Sequence, residues 1–230
     1  MPSSAVRRLI AVAAASLATA AVGLTSAPAA SAVPVCSARL NIPAKISLIA
    51  PYTAFPVKVS TDCPNPDYAS WDIYGPTGLS EILIYDPLTE GATEYWNMYA
   101  HSIPAGAYTV RGGMGFTTDY EDIDTPDYAT YVKYRCKAAL SGTRSGSTVS
   151  LRASAIYYNV KLAKFVPRAY ATARLQQLNA DGTWTTIKIG TTTSAGVATF
   201  AVTDSTARTY RVWIDHTASV WEAASTGVRV

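Results

Sequence analysis

Hydrophobic and polar residues alternate in short runs along most of the chain. In the first half the runs are rich in β-branched and aromatic residues and are separated by Pro, Gly, Asn or Asp. They span 45–50, 55–62, 69–75, 79–86, 107–113 and 129–135. Six similar runs follow, at 147–154, 169–178, 182–190, 196–203, 209–215 and 226–230. No long segment after residue 32 has the 3.6-residue period of a helix, so the pattern predicts antiparallel strands of an all-β sandwich.

Two glycine-containing segments predict hairpins in the second half. Asp181 and Gly182 lie between two alternating runs, which is the strongest short-range hairpin signal in the chain. In "TSAG", Gly196 is expected to supply the backbone freedom for a second hairpin before the strand at 197–202.

The two halves share features that predict two sandwich domains in tandem. A Tyr-x-Val sequence begins a late strand in each half, at Tyr108 and at Tyr210, where immunoglobulin-like domains place a tyrosine whose hydroxyl bonds back to a loop. Trp71 and Trp184 lie on the third predicted strand of each half. Because any β-sandwich carries Tyr and Trp on its strands, these coincidences do not establish a duplication. We predict domains at 33–137 and 138–230, each of about 100 residues.

Residues 1–32 have the composition of a cleaved secretory signal peptide. Arg7 and Arg8 precede an alanine-rich apolar run that ends near residue 24, and the small residues of "SAPAASAVP" follow. We expect cleavage after Ala32 and a secreted, extracellular protein without a membrane span, because a spanning helix needs about 20 strongly apolar residues. A lipid anchor on Cys36 is disfavoured because the preceding "AVPV" differs from the Leu-x-small-Cys pattern of lipoproteins.

The charge balance excludes nucleic acid as an expected partner. The chain has 19 Lys and Arg against 16 Asp and Glu, and removal of Arg7 and Arg8 leaves 17 against 16. Nucleic-acid binding depends on clustered basic residues that neutralise phosphates. Lys133, Arg135 and Lys137 alternate along one run, and we interpret them as one solvated strand face.

Three cysteines in an exported chain predict a disulfide. Cys36 and Cys63 lie early in the chain with 26 residues between them, and we favour a bridge between them. Cys136 is then left over, either as a half-buried strand thiol or as an alternative partner of Cys63.

The sequence contains none of the common catalytic motifs. It lacks Gly-x-Ser-x-Gly, His-Glu-x-x-His, a phosphate-binding glycine loop and Cys-x-x-Cys. Its two histidines, His101 and His216, are expected at surface turns. We therefore predict a protein that is not an enzyme; the alternative is a small secreted hydrolase that uses a pair of carboxylates.

Five acidic residues cluster in "TTDYEDIDTPDY", at Asp119, Glu121, Asp122, Asp124 and Asp127. Calcium takes six to eight oxygen ligands, and such a loop could supply several of them. However, the spacing is not that of an EF-hand, and carboxylates in turns commonly cap backbone N–H groups. We interpret the segment as a solvated loop and the protein as free of cofactors, with structural calcium as the alternative.

Tyrosine is unusually frequent, with 15 Tyr against 4 Phe. In "EYWNMYAHS", alternation would place Tyr95, Asn97 and Tyr99 on an exposed face and Trp96 and Met98 in the core. Tyrosine presents a rigid apolar ring with a polar tip, so the exposed face could bind a glycan or a protein, or it could be the polar cover of a buried Trp.

The C-terminal half carries a family resemblance. The segments "VSLRAS", "DGTWTTIKIGTTTSAGVATFAV", "TYRVWID" and "SVWEAASTGVRV" resemble the bacterial immunoglobulin-like modules of secreted actinobacterial proteins. This resemblance implies a sandwich in an extracellular or cell-surface setting, with a binding, adhesion or spacer role. It transfers no catalytic residue. The expected partner is an extracellular protein or glycan, and the expected state is a monomer.

Overall fold

The computed structural model describes residues 36–230, so the predicted signal peptide and its cleavage after Ala32 lie outside the described residues. The first half contains nine strands: β1 (Cys36–Asn41), β2 (Lys45–Leu48), β3 (Tyr52–Thr61), β4 (Pro66–Gly75), β5 (Gly78–Tyr85), β6 (Thr93–Tyr99), β7 (Gly106–Thr117), β8 (Ile123–Asp124) and β9 (Tyr128–Tyr134). The second half contains β10 (Cys136–Ser145), β11 (Thr148–Asn159), β12 (Lys164–Pro167), β13 (Thr172–Leu178), β14 (Trp184–Thr191), β15 (Val197–Thr203), β16 (Thr209–Ile214), β17 (Ala223–Ala224) and β18 (Val228–Arg229), with one 3₁₀ helix at Val160–Leu162.

The all-β prediction is confirmed, because each of the twelve alternating runs contains a strand. Strands β1, β6, β10 and β12 add to the predicted set, together with the two-residue strands β8 and β17. In residues 36–230 no helix has the length and apolar character needed to cross a membrane.

The first half is a sandwich of two sheets, with strand orders β6-β3-β1-β8 and β2-β9-β7-β4-β5. Trp71 and Trp96 are fully buried in the core between them. Two pairings are parallel, β1 with β8 and β2 with β9, whereas the prediction was of antiparallel strands throughout. The alternation could not reveal this, because side chains alternate with a period of two residues in both kinds of pairing.

The second half has its own two sheets and its own core. In one sheet β11 pairs with β10, β12 and β15; in the other the order is β14-β13-β16-β17, with β18 also on β16. Leu151, Leu175 and Val212 are buried between the sheets. The protein therefore has the all-β sandwich architecture that its sequence predicts.

Both predicted tyrosine contacts are present. The Tyr108 hydroxyl donates a hydrogen bond to the Pro104 carbonyl oxygen at 2.8 Å. The Tyr210 hydroxyl donates to the Asp204 carboxylate at 3.2 Å. Each tyrosine is buried and ties the start of its strand to the preceding loop.

One of the two predicted hairpins is confirmed. Gly182 has φ of 84° in the turn that joins the antiparallel strands β13 and β14. At "TSAG" a turn is present, with the Gly196 amide donating to the Thr193 carbonyl at 2.9 Å, but the hairpin prediction is wrong. The next strand, β15, pairs with β11 of the opposite sheet. A local turn signal does not determine which strand the following strand pairs with.

The two cores meet without a linker. Arg135 alone separates β9 from β10, and β10 starts at Cys136, so the predicted boundary between 137 and 138 falls inside a strand of the second core. Backbone hydrogen bonds also cross the junction, from the Trp221 amide to the Tyr134 carbonyl at 3.0 Å and from the Tyr134 amide to the Ser219 carbonyl at 2.9 Å. The division into two independent domains stays a prediction.

The predicted disulfide is present between Cys36 and Cys63. It links the start of β1 to the residues that follow β3, and these two strands also pair. Cys136 is an unpaired, buried thiol, and burial raises its pKa above the ordinary value of a cysteine. A buried thiol with a raised pKa is a poor nucleophile.

Candidate functional site

Alternation along β6 places its aromatic residues as the sequence indicates. Tyr95 and Tyr99 are 52% and 49% exposed, whereas Trp96 and Met98 are fully buried. The Trp96 ring packs edge-on against that of Tyr108, with centroids 5.2 Å apart. The exposed face of β6 therefore lies above buried aromatic rings of the first core.

Tyr52 joins this face from the neighbouring strand, although the alternation pattern does not predict it. It lies directly opposite Tyr99 in the β3–β6 pairing, is 46% exposed, and its ring centroid is 4.9 Å from that of Tyr99. The Tyr52 hydroxyl donates to Asn97 Oδ1 at 2.8 Å. Only the register of β3 against β6 brings these residues together, and alternation does not encode register. We call Tyr52, Tyr95, Asn97 and Tyr99 the tyrosine surface.

Hydrogen bonds hold the central amide of the tyrosine surface. Asn97 Nδ2 donates to the Tyr95 carbonyl oxygen at 3.2 Å, and the Asn97 backbone amide donates to the Glu81 carboxylate at 3.2 Å. His101 is exposed beside Tyr99, with ring centroids 6.0 Å apart, as expected for a turn histidine. Tilted rings with polar tips around a fixed amide can pack on the apolar face of a ligand and hydrogen-bond its edge.

The acidic segment forms a turn followed by β8. The Thr117 hydroxyl accepts hydrogen bonds from the backbone amides of Asp119 and Glu121, at 3.3 and 3.2 Å. Asp127 Oδ1 accepts from the Gly112 amide at 2.8 Å. All five acidic side chains are exposed. At least Asp127 therefore has the backbone-capping role expected of a carboxylate in a loop.

Metal-ligating side chains converge at one place among residues 36–230. There the ligand atoms of Cys36, Asp62 and Cys63 lie within 4.8 Å of one another. The two sulfur atoms are already joined in the disulfide, and the Asp62 carboxylate accepts the Ser37 amide at 2.6 Å, which lowers its pKa. Calcium binding stays the alternative to the predicted solvated loop.

A cleft of about 620 Å³ lies where the two halves meet. Strands β2 and β9 contribute Lys45, Tyr131 and Lys133, and the second half contributes Trp213 from β16 and the segment 216–222. The interpretation of Lys133 as part of a solvated face is wrong, because only 8% of this residue is exposed. Its Nζ donates to the Thr217 carbonyl oxygen at 2.8 Å. Arg135 and Lys137 are exposed, as expected.

Trp221 forms the floor of this cleft. Its indole Nε1 donates to the Ile46 carbonyl oxygen at 2.9 Å, and the Nζ atoms of Lys45 and Lys133 lie 5.0 and 4.9 Å from its ring centroid. Lys133 is buried whereas the Lys45 side chain is 62% exposed, and a cation–π contact is worth more to the less hydrated ammonium group. The sequence offered no signal for this arrangement, because it joins residues from both ends of the chain.

A single carboxylate lies in the cleft, that of Glu222. It accepts a hydrogen bond from Lys45 Nζ at 2.6 Å, and this contact lowers its pKa below the ordinary value. His216 Nδ1 is 3.9 Å from the other carboxylate oxygen. His216 is exposed at the end of β16, as predicted.

No protein-family model matches the chain, and no curated protein matches it. Solved structures do match. The chain is similar to the native conformation of E. coli α2-macroglobulin, with 11% identity, a TM-score of 0.42, and coverage of 85% of this chain and 14% of that one. It is also similar to a tetra-tandem repeat in the extending region of a large adhesion protein, with 9% identity, a TM-score of 0.34, and coverage of 85% and 49%.

A third similarity is to the fibronectin(III)-like modules of Clostridium thermocellum CbhA, with 14% identity, a TM-score of 0.33, and coverage of 84% of this chain and 91% of that one. All three TM-scores are below 0.5, and no property of these proteins is transferred to this chain. The chain spans less than half of the adhesion-protein repeat and about a seventh of the macroglobulin.

Proposed function

We propose that the protein is a non-enzymatic extracellular module that binds a glycan through the tyrosine surface. The observation that carries the proposal is the placement of three tyrosines, each about half exposed, around a hydrogen-bonded asparagine over a buried tryptophan. Aromatic rings held in this way provide contact area at a low cost in side-chain entropy. The Asn97 amide and the tyrosine hydroxyls can hydrogen-bond the hydroxyls of a sugar.

The rest of the molecule suits a rigid support for this surface. A disulfide is compatible with an oxidising extracellular environment, which the predicted signal peptide also indicates. The two halves are separated by one residue and hydrogen-bonded across their junction. A support without a flexible linker would hold the binding surface in a fixed direction, as a spacer or adhesion module requires.

Retention on insoluble polysaccharides tests this function. The protein would be incubated with cellulose, chitin and bacterial peptidoglycan, and the bound fraction measured after sedimentation. We expect at least one of these to retain it, and we expect Tyr95→Ala combined with Tyr99→Ala to weaken binding about tenfold or more, since loss of a central aromatic contact costs about 2 kcal/mol.

The matched control is Tyr170→Asn. Tyr170 is an exposed tyrosine outside the tyrosine surface, and its φ of 56° suits Asn. The control should bind as the parent does. The proposal is wrong if none of the three polysaccharides, and no neutral or amino sugar on a glycan array, is bound, or if the double variant binds as well as the control.

A further inference from the structure

Lys133 is a buried cation without an anionic partner. Only 8% of Lys133 is exposed, and its Nζ donates one hydrogen bond, to the Thr217 carbonyl oxygen. Within residues 36–230 no carboxylate oxygen lies within 4.0 Å of this nitrogen. An ammonium group has three N–H donors, and buried charges are normally paired because desolvation is costly. Among residues 36–230, the Thr217 carbonyl oxygen is therefore the one protein acceptor of the Lys133 ammonium group.

The walls around Lys133 are aromatic. Its Nζ lies 4.9 Å from the Trp221 ring centroid and 5.9 Å from that of Tyr131. Tyr131 is about half exposed, and Trp213 is partly exposed on the opposite side of the junction, so both rings have surface available to a ligand. A volume of about 620 Å³ is within the range of small-molecule sites.

The cleft also has a net positive charge. Two ammonium groups, those of Lys45 and Lys133, face one carboxylate, that of Glu222. Glu222 is held at 2.6 Å by Lys45, so it does not neutralise Lys133. An anionic group placed beside Lys133 would therefore form an ion pair that no carboxylate of residues 36–230 makes with this lysine.

We propose that this cleft binds an acidic saccharide unit, whose carboxylate pairs with Lys133 and whose ring packs against Tyr131 and Trp213. A small inorganic anion would satisfy the charge but would leave the aromatic walls uncovered, whereas a sugar acid has both a carboxylate and an apolar ring face. The site is distinct from the tyrosine surface, because Tyr131 and Lys133 lie on the sheet opposite the one that contains β3 and β6. The inference does not depend on the proposed function.

Calorimetric titration with tri-galacturonic acid and with an oligosaccharide of glucuronic acid tests the proposal. The methyl ester of tri-galacturonic acid is the matched ligand control, because it keeps the sugar rings and removes the charge. We expect the acids to bind and their affinity to fall with added salt. The ester should bind at least about tenfold more weakly, since hydrogen bonds to charged groups are worth about 1.5–3 kcal/mol.

Two variants locate the site. Lys133→Met keeps the apolar stem and removes the charge, and Tyr131→Ala changes an exposed wall without touching the core. Both should weaken acid binding about tenfold or more. The control is Lys137→Met, which removes an exposed lysine stacked on Phe165 at 4.2 Å outside the cleft; it should bind as the parent does.

Three results would overturn the proposal: neither acid binds, the ester binds as tightly as the acid, or Tyr131→Ala leaves the affinity unchanged. If Lys133→Met does not fold, Tyr131→Ala decides. The proposal would also be contradicted if the Tyr95→Ala, Tyr99→Ala double variant lost acid binding and Tyr131→Ala kept it. The acid would then occupy the tyrosine surface. If the protein binds the acids but is not retained on polysaccharides, the proposed function is rejected and the cleft proposal is not.

Discussion

Individual tyrosines have two different roles in this protein. Tyr85 and Tyr108 are buried, and their hydroxyls donate to the carbonyl oxygens of Val57 and Pro104, at 2.9 and 2.8 Å. Tyr95 and Tyr99 are half exposed and make up the tyrosine surface. Alternation in the sequence indicates which residues of a strand share a face, as it does for Tyr95 and Tyr99 on β6. It does not identify Tyr52 or Lys133, whose roles depend on strand register and on the packing of the two halves.

The buried tyrosines predict a loss of stability at alkaline pH. Burial raises the pKa of Tyr85 and of Tyr108 above the ordinary value near 10. Their folded-state pKa values exceed those of the unfolded chain, so their stabilising contribution is complete below about pH 10 and is lost as the pH rises further. The expected decrease is about 1.4 kcal/mol per pH unit for each tyrosine.

Urea unfolding between pH 9 and pH 11.5 measures this decrease, and the absorbance of tyrosinate follows ionisation in the same samples. Tyr85→Phe should make the slope shallower, since it removes one of the tyrosines whose pKa burial raises. A stability that stays constant to pH 11.5, while all 15 tyrosines ionise near pH 10 in the folded protein, would contradict the prediction.

At the scale of elements, the sequence predicts strands better than their partners. The runs at 45–50 and 196–203 are strands, but β2 pairs in parallel with β9, and β15 pairs with β11 rather than with β14. These pairings depend on which sheet a strand joins after a crossover, and this is a property of the packed core. The disulfide was predictable because three cysteines leave few pairings and two of them flank the same strands.

Reduction of the disulfide should destabilise the first sandwich. The bridge closes a loop with a sequence separation of 27 between Cys36 and Cys63. The loop-entropy model gives about 3 to 4 kcal/mol for a closure of this length. Thermal unfolding of the Cys36→Ser, Cys63→Ser double variant should show a lower Tm, while Cys136→Ser, which breaks no bridge, serves as the control. Equal Tm values for the double variant and the parent would disprove a stabilising role.

If the acidic segment is a solvated loop, calcium should not change the thermal stability of the protein. We expect the same Tm in excess calcium and in chelator, because its carboxylates are exposed and Asp127 caps the Gly112 amide. An upward shift of several degrees in calcium that is lost in the Asp122→Asn, Asp124→Asn variant would instead assign a structural cation site to this loop.

At the scale of the whole molecule, the junction between the halves decides whether they act as one body. Trp221 donates through its side chain to Ile46 and through its amide to Tyr134, both in the first half. Its carbonyl oxygen accepts a hydrogen bond from Arg168 at 2.9 Å in the second half. The sequence indicated two halves of similar length but gave no sign of this contact, since Ile46 and Trp221 lie near opposite ends of the chain.

Removal of the Trp221 side chain should uncouple the two halves. We expect one calorimetric unfolding transition for the parent protein and two for Trp221→Ala, with a loss of about 3–5 kcal/mol of stability, as for other buried aromatic truncations. Trp213→Ala is the control, because this residue lines the same cleft on β16. Two transitions in the parent would show that the sandwiches are independent domains.

Mapping the contact by nuclear magnetic resonance shows directly whether this protein binds a glycan through its tyrosine surface. Amide shifts of the protein would be followed during titration with soluble fragments of whichever polysaccharide retains it. We expect the largest changes on β6 and on the facing part of β3 around Tyr52. Changes confined to other strands, with β3 and β6 unaffected, would contradict it.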